Sequence, residues 1–103
     1  MENSKSRTYM FHILGKVDRY GRDRRKEIKY NYLASQLNND QIKKLQSLEK
    51  EACDCTNDII YYLHRFEDGE EFDFEAEFII DASYEHLSEI EEELWDYLRS
   101  NSN

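Results

Sequence analysis

Apolar and polar positions divide the chain into two passes of similar pattern. Residues 8–17 (TYMFHILGKV) are almost continuously apolar and β-rich, which predicts a well-buried strand. Residues 18–26 (DRYGRDRRK) are polar, basic and contain Gly21, and read as a hairpin loop. From Glu27 to Leu33 the pattern alternates, with Ile28, Tyr30 and Tyr32 facing one way and Glu27, Lys29 and Asn31 the other, the period of a half-buried strand. A helix follows. Asn38, with Gln41 three residues on, has the form of a capping box, and Leu37 can staple against Ile42. Ile42, Leu45, Leu48 and Ala52 then share one face, before Asp54 to Asn57 breaks the pattern.

The second pass has the same order. Ile59 to Phe66 predicts a strand, Asp68-Gly69 a hairpin turn, and Glu71 to Ile80 the return strand. Ser83 is placed to cap a helix whose buried stripe is Leu87, Ile90, Leu94 and Tyr97 or Leu98, with Trp95 at its flank. The order ββαββα predicts an α+β fold: a four-stranded, mostly antiparallel sheet with both helices packed on one face, since each helix has one stripe to bury. One domain over residues 8–100, with disordered tails at 1–7 and 101–103, suits a chain of 103 residues.

On a strand, the alternation of residues 71–78 sends Phe72, Phe74, Ala76 and Phe78 to the core and lines up Glu71, Asp73, Glu75 and Glu77 on the other face. Neighbours in that row stand about 6.6 Å apart. A two-residue turn at Asp68-Gly69 sets His64 opposite Asp73 and Tyr62 opposite Glu75, whereas a three-residue loop pairs Arg65 with Glu71. The last helix repeats the acidic theme, with Glu85, Glu89, Glu92, Glu93 and Asp96 opposite Leu87, Ile90 and Leu94. Spacings of four between like charges each disfavour the helix by a few tenths of a kcal/mol.

Charge sharpens this picture. The net charge is −9, from 14 Lys and Arg against 23 Asp and Glu. Residues 1–50 hold 12 basic and 6 acidic side chains, while residues 51–103 hold Arg65 and Arg99 against 17 acidic ones. An acidic half of this kind attracts a basic surface, and DNA-binding surfaces are basic because each strand presents a charge about every 3.4 Å. The same half also suits a face that is only solvated. The basic loop holds Arg19, Tyr20, Arg22, Arg24, Arg25 and Lys26, between Lys16 and Lys29. Basic side chains around an aromatic can hold single-stranded nucleic acid, although the acidic half opposes its approach. Alternatively the loop is a solvated tip, or it meets the acidic face of another copy and makes oligomers.

Other chemistry is sparse. Cys53 and Cys55, one residue apart, make no disulfide framework and favour a reducing cytosol. A zinc site wants two separated ligand pairs, and His12, His64 and His86 are scattered; Cys53 is expected at the helix end and Cys55 as a loop thiol. Gly15, Gly21 and Gly69 are isolated, and no nucleophile-elbow, zinc-protease or kinase signature appears. No apolar run approaches a membrane span, and MENSKSR lacks a signal-peptide core.

These features predict a small acidic, non-enzymatic inhibitor without cofactor or metal, which occludes the basic nucleic-acid-binding surface of a host nuclease or other DNA- or RNA-handling protein. The alternatives are an immunity or antitoxin protein neutralising a cognate toxin, and a nucleic-acid-binding regulator acting through the basic loop at 16–29. In kind, the chain resembles the small acidic inhibitors that phages and mobile elements direct against host nucleases and repair enzymes. That resemblance rests on composition and carries over no residue.

Overall fold

A computed structural model describes residues 2–17, 23–67 and 74–101, with side chains within 7–17, 23–65 and 74–101. Among the described residues there are four helices and no strand: α1 (Glu2–Val17), α2 (Arg24–Ala34), α3 (Asn39–Glu67) and α4 (Phe74–Asn101). The α+β sheet expected from the pattern is therefore wrong, and the chain is a helical bundle.

Each misplaced strand carries a helical stripe. In α1, Met10 and Ile13 are buried and Phe11, Leu14 and Val17 partly so, while Thr8, Tyr9, His12 and Lys16 face solvent. That is the three-and-four spacing of a helix face, hidden by the density of apolar residues. α1 also takes in residues assigned to a tail, among them the buried Arg7. In α2 the alternation misleads outright: Glu27, Tyr30 and Ala34 are buried, whereas Ile28 and Tyr32 stand 70% and 65% exposed. Asp23 caps α2, its carboxylate accepting from the backbone N–H groups of Arg25 (3.0 Å) and Lys26 (3.2 Å).

α3 begins as its sequence predicts. Gln41 N–H donates to Asn38 Oδ1 and Asn38 N–H donates to Gln41 Oε1, both at 2.9 Å, completing a capping box. The helix then runs through the expected break at 54–57, because the buried stripe Leu45, Leu48, Ala52 continues into Cys55, Thr56 and Ile59. Thr56 is accommodated at the core by donating its hydroxyl to the Ala52 carbonyl at 2.8 Å. Cys55 is thus a buried helix residue rather than a loop thiol, and its Sγ donates to the Ser83 carbonyl at 3.1 Å. In α4, Ile80, Leu87, Ile90, Leu94 and Leu98 are buried, and Ser83, expected as a cap, lies mid-helix.

α3 and α4 form a long antiparallel hairpin. Gln41 Nε2 donates to Asn101 Oδ1 (3.0 Å), Glu51 meets His86 (3.6 Å) and Cys55 meets Ser83, so partner numbers rise on one helix as they fall on the other. At 1.5 Å per residue each helix is about 40 Å long, which accounts for the longest dimension of 49 Å, against 22 and 20 Å across. α1 runs antiparallel to α4, with the Tyr84 hydroxyl donating to the Val17 carbonyl at 3.3 Å. α2 packs against α4 near Trp95, giving an up-down-up-down bundle with two short and two long helices.

A polar knot pins the four helices in register. Arg7 Nε donates to Glu49 Oε2 at 3.0 Å, and the Tyr30 hydroxyl donates to the same oxygen at 2.7 Å. The Arg7 guanidinium lies 5.5 Å from the Tyr30 ring centroid. Phe11 and Trp95 meet that ring edge-on, at centroid distances of 5.1 and 5.5 Å. One α2 side chain thus touches α1, α3 and α4. Arg7 and Glu49 occupy core positions on their helices, and a buried charge is tolerated only when paired.

Candidate functional site

The described members of the expected acidic strand row, Glu75 and Glu77, do not line up. Glu71 and Asp73 lie outside the described residues, and Glu75 and Glu77 fall in α4. Two residues apart on a helix, those carboxylates point about 160° away from each other. Phe74 and Phe78, expected in the core, are 86% and 68% exposed. Their four-residue spacing puts them together on the outside of α4, the side opposite Leu87, Leu94 and Leu98.

The helix part of the acidic expectation fares differently. Glu85, Glu89, Glu92, Glu93 and Asp96 are all exposed on α4. Because α4 begins ten residues earlier than the cap at Ser83 implied, Glu77 and Asp81 extend the same stripe. The seven carboxylates fall within a sector of about 160° and span a rise of about 28 Å. The helix holds nine Asp and Glu residues and one Arg, and that Arg99 pairs with Asp96 at the C-terminal end, where a cation also suits the helix dipole.

The basic cluster is likewise rebuilt. Arg19, Tyr20 and Arg22 lie outside the described residues; Arg24, Arg25 and Lys26 form the first turn of α2 and are exposed, not part of a β-hairpin tip. Three cations at a helix N-terminus oppose its dipole, and the Asp23 cap and the Arg24–Glu27 pair (3.7 Å) offset them.

Besides a shallow groove of about 250 Å³ beside Lys44, Glu93 and Asp96, two concavities accompany these faces among the described residues. Met10, Phe11, Leu14, Tyr30, Leu94 and Trp95, with Asp23, Lys26 and Glu91 at its polar side, line a cavity of about 80 Å³ between α1, α2 and α4, well below the roughly 300 Å³ of a small-molecule site. The second is an open groove of about 370 Å³ lined only by α3 and α4. Phe78, Ile79 and Ala82 form its apolar floor, and Glu51, Asp54 and Asp58 its acidic α3 rim, with His86 beside Glu51. Cys55, in this groove, and Cys53, which packs against the core on another side of α3, are poor nucleophiles: burial first, then neighbouring carboxylates, push both thiols above their usual range. Among the described residues no three His, Cys, Asp or Glu side chains gather as a metal-holding group, and no helix is long and apolar enough to cross a membrane.

The groove and the exposed phenylalanines escape a strand reading, which turns Phe74 and Phe78 inward. Their signal was available in the spacing: Phe74 and Phe78 share a helical face with Asp81 and Glu85, not with Ile80 and Leu87. No family model matches the chain, and neither a curated protein nor a solved structure matches it.

Proposed function

We propose that the chain is a non-enzymatic inhibitor that uses the outer face of α4 to occlude the basic surface of a nucleic-acid-handling protein. The supporting observation is the stripe Glu77, Asp81, Glu85, Glu89, Glu92, Glu93 and Asp96, all exposed on one side of a rigid helix. Seven charges over about 28 Å is one per about 4 Å, close to the 3.4 Å per charge of a DNA strand. The stripe contains five like-charged pairs at four-residue spacing, which together weaken the helix by about 1–2 kcal/mol. A face that served only solubility would gain by alternating Glu with Lys. Binding of this kind occludes by sterics and charge, and its association rate falls as salt rises.

The test is retention of host proteins on immobilised chain at low and high salt, with a variant carrying Glu85→Gln, Glu89→Gln, Glu92→Gln and Glu93→Gln in parallel. A nucleic-acid-binding protein held by the wild type at low salt, released by high salt or by added duplex DNA, and not held by the variant, is the expected result. Equal retention by the variant, or retention of nucleic acid in place of protein, overturns the reading. The identity of the captured protein separates a host nuclease from a cognate toxin.

A further inference from the structure

We propose that copies of this chain associate head to tail, the exposed cationic face of α2 in one copy seating in the acid-rimmed groove between α3 and α4 of the next. The two surfaces are complementary in both charge and apolarity. On α2, Ile28 and Tyr32 stand 70% and 65% exposed on the side away from Tyr30, and the exposed Arg25 and Lys29 flank them. Exposed apolar groups set between cations are the inverse of the groove, where Phe78, Ile79 and Ala82 lie beside Glu51, Asp54 and Asp58.

Their dimensions agree as well. From Arg25 to Tyr32 α2 rises about 10 Å, and from Phe78 to His86 the groove follows α4 for about 12 Å. A helix laid along a groove on its i, i+3, i+4, i+7 positions is a common way for helices to dock, and Arg25, Ile28, Lys29 and Tyr32 have that spacing.

Charge also selects which surfaces meet. A contact of α4 with α4 would place like against like in a chain of net charge −9. A head-to-tail contact instead sets the basic segment of one copy against the acidic segment of the next. The contact is one short helix wide, below the roughly 1,000 Å² of a stable interface, so the association is weak and salt-sensitive. Since each copy keeps one unused surface of each kind, growth continues past the dimer unless the ring closes. The groove borders the outer stripe of α4 at Phe78, but the variants below change only α2 and α3 and leave every stripe carboxylate in place, so this assembly is tested apart from the inhibitor reading.

Sedimentation from about 10 μM to about 1 mM, the range in which weak contacts populate, tests the assembly. At low salt the average mass should climb above 12.5 kDa and return to it at about 1 M salt, where charge is screened within about 3 Å. The double variant Arg25→Glu, Lys29→Glu should stay monomeric, as should the double variant Asp54→Lys, Asp58→Lys. All four positions are exposed, so both variants should keep the wild-type circular dichroism spectrum. Mixed one to one, they should associate again, because one pairing is restored with its signs swapped and the other is the native pairing. A wild-type chain that holds 12.5 kDa throughout overturns the proposal, as does a mixture that stays monomeric while the wild type associates. If the wild type stays monomeric yet its groove binds an added cationic amphipathic peptide, the groove belongs to another protein's helix and the proposal fails.

Discussion

The two ends of the α3–α4 hairpin are held by different means. Around Glu49 and Trp95 four helices converge, and Tyr30 alone touches a side chain from each of the other three. Toward residues 60 and 78 the hairpin carries exposed Tyr61, Phe74 and Phe78. The crowded end satisfies its buried polar groups with one another, so the faces it offers outward, Ile28 and Tyr32 of α2 and Glu89, Glu92, Glu93 and Asp96 of α4, stand on a fixed interior. The open end leaves apolar rings in water beside carboxylates, where a partner can bury them without disturbing the knot. Stability thus rests on the interior of the crowded end, and the exposed rings of the open end can serve recognition without serving stability.

Breaking the crowded end should give the largest effect. Glu49→Ala leaves the Arg7 guanidinium buried without its carboxylate and the Tyr30 hydroxyl without its acceptor. Removing one partner of a buried ion pair costs about 3–5 kcal/mol, a large share of the roughly 5–15 kcal/mol that holds a domain folded. Urea titration should show the midpoint falling sharply, and a loss below about 1 kcal/mol would mean that the knot is relaxed by water or rearrangement. α1 should be the first casualty, since the Arg7–Glu49 bridge ties it to α3.

The same knot predicts a response to alkali. Burial chiefly, and next the Glu49 carboxylate, hold the Tyr30 hydroxyl far above its ordinary range near pH 10. An unfolded chain gives up that proton above about pH 10 while the folded chain keeps it. The contribution is therefore complete below pH 10 and is lost as pH rises above it, by about 1.4 kcal/mol per pH unit. Stability measured between about pH 9.5 and 11.5 should fall with that added slope, and Tyr30→Phe should remove one proton's worth of it. An identical slope in the variant would place the titration elsewhere.

The contrast between the ends also explains what the sequence made legible. The capping box at Asn38 and Gln41, the stripe from Leu45 to Ala52 and the stripe from Leu87 to Leu98 were readable because apolar residues there are sparse enough for their spacing to show. In residues 8–17 and 59–66 apolar side chains are so dense that a helix and a strand give the same pattern. Composition could have arbitrated. The chain has no proline, a single valine and two threonines, too few β-branched residues apart from isoleucine for a four-stranded sheet. The buried charges were legible in part: Arg7 lies at helical spacing from Met10, Phe11 and Leu14, and Glu49 adjoins Leu48 and Ala52. Two opposite charges on apolar stripes point to a buried pair, but only once both segments are read as helices.

At the open end the expected effect on stability is the smallest. Phe74→Ala and Phe78→Ala remove rings that are 86% and 68% exposed, so little packing is lost. Alanine is also the better helix former by about half a kcal/mol. Each variant should therefore lie within about 0.5 kcal/mol of the wild type, on the stable side if on either. Binding should move the other way. Phe78 lines the groove and Phe74 lies one turn away on the same outer face, so Phe78→Ala should weaken contacts made in the groove, while Phe74→Ala should leave those unchanged and weaken only contacts to the outer face. Ile59→Ala is the control from the interior of the same hairpin: fully buried, it should cost about 2–5 kcal/mol. If Phe78→Ala destabilises the chain as much as Ile59→Ala does, then Phe78 is packed in solution, the open end is not open, and the separation of stability from recognition fails at that residue.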